Sequence, residues 1–134
     1  MRNRYSILLG TVMVSSLFFL ANAIFWNNNS ITTNLFIIIL IAGGYIVTYT
    51  SSTLKSRTAI FSGFTVGMVL IVYQILINRV SIDPVNWIGY VILPGFFMMI
   101  GGFTAKITKK QMVETFDNLL KRKNEDKSEI NLKI

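Results

Sequence analysis

The side chains able to do chemistry in this chain are few and stand apart from one another. It has no histidine and no cysteine, which removes the usual neutral-pH proton shuttle, the commonest metal ligand and all thiol reactions. The six Asp and Glu and the thirteen Lys and Arg all fall outside four apolar stretches, residues 5–25, 35–49, 58–77 and 85–105. Within the stretches the polar candidates are Ser15, Ser16, Asn22, Tyr45, Thr48, Tyr49, Tyr73 and Gln74. Hydroxyls and amides exchange hydrogen bonds but supply neither a neutral-pH acid–base pair nor a metal-binding set. The expectation is therefore a non-enzymatic protein with no catalytic residue, no cofactor and no metal. Asn22 and Gln74 lie near matching ends of their stretches, where an interhelical amide contact contributing about 0.6 kcal/mol is the expected role.

The elements that carry these residues are set by length. About 20 apolar residues in a helix cross the roughly 30 Å hydrocarbon core, and a helix satisfies its own backbone hydrogen bonds there. A 52% hydrophobic content with a mean hydropathy of +0.55 places the chain outside ordinary soluble domains. The expected fold is an all-α integral membrane protein: a four-transmembrane-helix bundle over residues 1–105, a cytoplasmic amphipathic helix over 106–122 and a charged flexible tail over 123–134.

Charge sets the threading. Of the thirteen Lys and Arg, twelve lie before the first stretch, between the second and third, or after the fourth, and only Arg79 lies in the other loops. The positive-inside rule then puts both termini in the cytoplasm of a multi-pass protein in the cell membrane, with Trp26 and Trp87 at the outer interface and Tyr5 at the inner one. The net charge of +7 is explained by this threading, so no nucleic-acid partner is expected. Lys55, Arg57, Lys106, Lys109 and Lys110 form a cytoplasmic set suited to anionic lipid headgroups. Arg2 and Arg4, the apolar run to Leu20 and the small residues Ala21 and Ala23 also imitate a cleavable signal peptide. Retention of the segment as a helix is expected, because it takes part in an internal repeat.

That repeat suggests a duplicated helical hairpin. Arg4, Ile7 and Gly10 have the spacing of Arg57, Ile60 and Gly63, and Gly43-Gly44-Tyr45 answers Gly101-Gly102-Phe103. Ala59, Gly63 and Gly67 make a small-residue stripe, and Gly101 with Ala105 repeats its spacing; such stripes let helix backbones approach in lipid. Gly43, Gly44, Gly101 and Gly102 are counted with them as packing positions. Pro94, followed by Gly95, interrupts the fourth stretch and removes one backbone donor. Aspartate at 83 and proline at 84 suit the start of that helix. Beyond it, Met112, Val113, Phe116, Leu119 and Leu120 share one helical face, which fits lipid headgroups or a protein partner.

Taken together, Gly43-Gly44-Tyr45, the segment from Arg57 to Gly63 and Gly101-Gly102-Phe103 resemble the small four-helix membrane proteins of archaea and Gram-positive bacteria that carry a domain of unknown function. The resemblance covers residues 5–106 and implies the fold, with no catalytic residue to carry over. In size and helix count the chain is also similar to the small multidrug-resistance transporters, which rely on a glutamate in the first helix; residues 5–25 hold no carboxylate. Phage holins are a further comparison, with compact spans and a charged tail. The functional expectation is an accessory, assembly or scaffolding component that joins a homo-oligomer or larger membrane complex through helix packing. The alternative is a small conduit for a neutral or lipidic solute, which requires a cavity lined by Asn22, Gln74 or the tyrosines and opening near Pro94.

Overall fold

The computed structural model describes residues 3–25, 28–51, 56–77 and 83–132. They form four helices and no strand: α1 Asn3–Ile24, α2 Asn29–Thr50, α3 Ser56–Leu76 and α4 Pro84–Leu132. All four are long and apolar enough to cross a membrane. Trp26, Lys55, Arg2 and Arg79 lie outside the described residues.

Two helix boundaries differ from the expectation. α2 begins at Asn29, six residues before the apolar stretch, because the Asn28 side chain accepts a hydrogen bond from the Ile31 backbone N–H at 3.4 Å. The Thr32 hydroxyl then donates to the Asn28 carbonyl at 3.1 Å, so a polar residue is accommodated within the first turn. α4 ends at Leu132, and the separate amphipathic helix and flexible tail are instead one continuation of the fourth helix. Lys106 to Leu132 contain no glycine or proline and are rich in helix-forming Lys, Glu and Leu, so nothing in the backbone stops the helix. The 49 residues of α4 extend about 74 Å, far beyond a hydrocarbon core.

Polarity is distributed inside out relative to a water-soluble domain. Leu8, Leu20, Ile38, Phe61 and Phe103 are all more than half exposed, whereas Ser6, Thr48 and Ser62 are fully buried. Val14, Leu40, Val47, Ala59, Val66, Leu70 and Met98 form the apolar centre. When lipid surrounds the exposed faces, association depends on close packing and internal hydrogen bonds rather than on expelling water.

The helices are arranged so that α1 touches α2 and α3, α4 touches α2 and α3, and α2 also touches α3. Among the described residues no Cα of α1 comes within 8 Å of a Cα of α4. A two-fold axis exchanging the hairpins α1–α2 and α3–α4 would make the α2–α3 and α1–α4 relations equivalent. The packing therefore departs from the symmetric duplication that the sequence words suggest. Short repeated words such as Ile and Gly at fixed spacing record local packing needs and do not impose a global axis.

Candidate functional site

Backbone crossings fix how the helices approach. Gly43, Gly44, Ala59, Gly63, Gly67, Gly101, Gly102 and Ala105 are all buried. A Cβ placed on Gly44 would run into the Met98 backbone, and one on Gly101 into the Ile41 carbonyl, so α2 and α4 touch main chain to main chain at this level. A Cβ on Gly63 would stand 2.5 Å from the Gly95 Cα and 2.7 Å from the Pro94 carbonyl oxygen. One on Gly67 would stand 2.5 Å from the Tyr90 carbonyl oxygen. That last contact is a consequence of proline chemistry. Pro94 has no N–H, so the Tyr90 carbonyl loses its partner one turn ahead, and it rests instead against Gly67, where a weak Cα–H donor is available.

Beside these crossings and in the half of the bundle below them stand hydroxyls, some buried and some exposed. Thr11 meets the Thr65 hydroxyl at 2.6 Å and the Ser62 hydroxyl at 3.5 Å, and Ser62 donates to the Ile7 carbonyl at 3.3 Å, tying α1 to α3. The buried hydroxyls of Ser6, Ser15 and Thr48 have no hydrogen-bond partner among the described residues. At the far end of the same half, the Lys109 ammonium sits 5.4 Å from the centre of the Tyr49 ring and Lys110 reaches Glu114 at 3.9 Å. Of the expected headgroup-binding set Lys109 is thus engaged against a ring within the chain, while Arg57, Lys106 and Lys110 are exposed.

The other half opens. α1 runs parallel to α3 and antiparallel to α2, and α3 runs antiparallel to α4, so α2 and α4 are parallel neighbours. Their contacts, Gly44 on Met98 and Ile41 on Gly101, differ by 54 and 60 positions. The mean offset, about 57, puts Leu40 level with Phe97 and Thr32 level with Gly89. From the Leu40–Phe97 level upward the two helices no longer seal against each other, and a groove of about 850 Å³ lies between them, backed by α3 and by Phe18 of α1. Val85 to Phe97 on its α4 wall span about 18 Å, close to the thickness of one leaflet.

The lining changes with depth. At the open end stand Asn86, Gln74, Thr32, Thr33 and Tyr90; deeper in, Phe36, Ile37, Leu93 and Pro94 follow, and Leu40, Phe97 and Phe18 close the floor. Among the described residues no Asp, Glu, Lys or Arg lines it. A Cβ on Gly89 would meet nothing within 4 Å, which marks that wall as open space.

Of the residues singled out from sequence, Gln74, Pro94 and the glycine crossings meet around this groove, and Asn22 does not line it. At that end the Phe19 and Tyr73 rings of α1 and α3 stand 4.8 Å apart. Thr32 and Thr33 precede the second apolar stretch and read as loop, and Asn86, Gly89 and Tyr90 lie within the fourth at no spacing that marks a site. Met112, Val113, Phe116, Leu119 and Leu120 are exposed on the extension of α4. No family model matches the chain, and no match was found among curated proteins or solved structures.

Proposed function

We propose that this chain is a non-enzymatic cell-membrane protein with four spans and cytoplasmic termini, which admits a neutral or lipidic solute into the groove between α2 and α4. The observation that carries this reading is the 850 Å³ groove itself, polar at its mouth, aromatic at its floor and lined by no charged side chain among the described residues. Its volume lies in the range of ligand pockets, and a few polar groups at one end of an apolar wall are what orient an amphiphile. A filled interior, which a pure scaffold would favour, does not describe this half of the bundle. The half with the buried hydroxyls is packed shut by main-chain crossings, so the groove serves one leaflet and is a binding site rather than an open pore.

The test uses Gly89→Trp, which adds bulk where a side chain meets nothing. Native mass measurement of the chain released from its membrane in mild detergent should show a retained lipidic adduct, and Gly89→Trp should lose it while keeping its helicity. Equal, adduct-free masses for both chains would end the reading.

A second reading, an accessory subunit, is favoured by one further observation. The glycine faces are consumed inside the bundle, but Met112, Phe116 and Leu119 stay exposed on a helix that projects beyond any bilayer. If this row holds a partner, Phe116→Ser with Leu119→Ser will release it during purification, and an unchanged particle mass will argue against it.

A further inference from the structure

The groove, if it admits a lipidic solute as proposed above, also specifies which kind. We infer that its occupant is a two-chain lipid with a small uncharged head, of the diacylglycerol class, lying chains inward with its head at the level of Asn86 and Thr32.

Three features of the lining lead there. The first is cross-section. A volume of 850 Å³ divided by a depth of about 18 Å leaves about 47 Å² on average, whereas one hydrocarbon chain with carbon contacts near 4 Å fills roughly 20 Å². Two chains fit side by side, and a single chain would leave half of the wall without contacts. The second is polarity along the axis. The side chains with hydrogen-bonding groups sit at the level of Thr33 and Tyr90 or nearer the mouth, and every lining residue deeper than that is apolar. An amphiphile entering chains first satisfies both ends at once, while the reverse orientation would strand its head against Phe97 and Phe18.

The third is charge. Asn86 and the Thr32 hydroxyl offer neutral donors and acceptors, and among the described residues no ionisable side chain lines the groove to compensate a phosphate or an ammonium. Drawing a charged head even partly out of water costs more than drawing in an alcohol, and an uncompensated charge keeps that cost. An uncharged glycerol head exchanges its hydrogen bonds with water for ones to amides and hydroxyls at little loss.

The experiment places a tryptophan at the floor of the groove by Phe97→Trp, with Trp26 and Trp87 replaced by Phe. The control is Val72→Trp in the same background, on an exposed face of α3. Both chains go into nanodiscs of unlabelled phosphatidylcholine doped with lipids that share one pair of brominated chains: a diacylglycerol, a phosphatidylglycerol and a dialkyldimethylammonium. Enrichment is the quenching at Phe97→Trp relative to Val72→Trp at equal doping. The diacylglycerol should be enriched at least about tenfold over either charged lipid. Equal enrichment of all three would overturn this inference and leave the groove reading standing, because the site would then take chains without reading heads. Absence of enrichment for any lipid would overturn both. If Phe97→Trp fails to fold, Leu93→Trp, higher on the same wall, carries the same comparison.

Discussion

Replacing Gly63 by alanine is the sharpest perturbation of the frame that holds the groove. The new Cβ would sit 2.5 Å from the Gly95 Cα, 2.7 Å from its nitrogen and 2.7 Å from the Pro94 carbonyl oxygen. These are main-chain atoms, so no rotamer change relieves them. Reaching an ordinary contact distance of 3.4 Å requires α3 and α4 to separate by about 0.9 Å at a crossing level with the lower part of the groove. Overpacking of this kind costs about 1–3 kcal/mol. Alanine also gains up to about 1 kcal/mol of helix propensity over glycine. Gly89→Ala in α4 is the matched control, because it makes the same propensity gain in open space. The difference between the two variants therefore isolates the crossing, and it should be about 1–3 kcal/mol, with Gly63→Ala the less stable. Reversible unfolding in mixed micelles titrated with a denaturing detergent, followed by circular dichroism, measures it. Equal stability of the two variants would refute main-chain contact at Gly63 and, with it, the placement of the groove floor.

Further outcomes follow from the same structure. Thr48→Val, which removes a buried hydroxyl without a partner among the described residues, should leave stability unchanged or raise it. Thr11→Val, which breaks the α1–α3 hydroxyl contacts, should lower it by about 0.6–1 kcal/mol in the same titration. Ending the chain after Gln111 should leave the thermal midpoint of the bundle unchanged, since no described residue beyond it is buried, and a falling midpoint would show that the extension packs back on the spans. Because the chain contains no cysteine, single substitutions at Asn28 and Lys127 report sidedness cleanly. An impermeant thiol reagent should label Asn28→Cys only from outside and Lys127→Cys only from within.

How much of this was legible in the sequence depends on which physical signal carried each part. The four helices follow from apolar length, and the small-residue spacing of Ala59, Gly63 and Gly67 marks where a neighbour comes close. Which neighbour comes close does not follow: Gly67 meets the Tyr90 carbonyl because Pro94, in another helix, leaves that carbonyl without its donor. The start of α2 was hidden because Thr32 and Thr33 lower local hydropathy. Yet the Asn28 cap and the backbone hydrogen bond of Thr32 make those residues helical. The far end of α4 runs past the expected boundary for a related reason. Mixed charge reads as a loose tail, but a run without glycine or proline has nothing to break it, and its length follows from the backbone rather than from burial. The groove depends on the divergence of α2 from α4 above Leu40 and Phe97, a three-dimensional relation that no single-helix pattern encodes. Gly89 signals it only in retrospect, as a glycine that no neighbour approaches.

The most direct test of the groove and its occupant is a density map of the chain in lipid nanodiscs, obtained by electron cryomicroscopy with a rigid binding fragment for alignment. The account predicts α2 and α4 in contact at Gly44 and Gly101 and apart at Thr32 and Gly89, with elongated density between them from the level of Asn86 down to Phe97. Helices closed along their whole shared length, with Phe36, Leu93 and Phe97 filling the space between them, would contradict it.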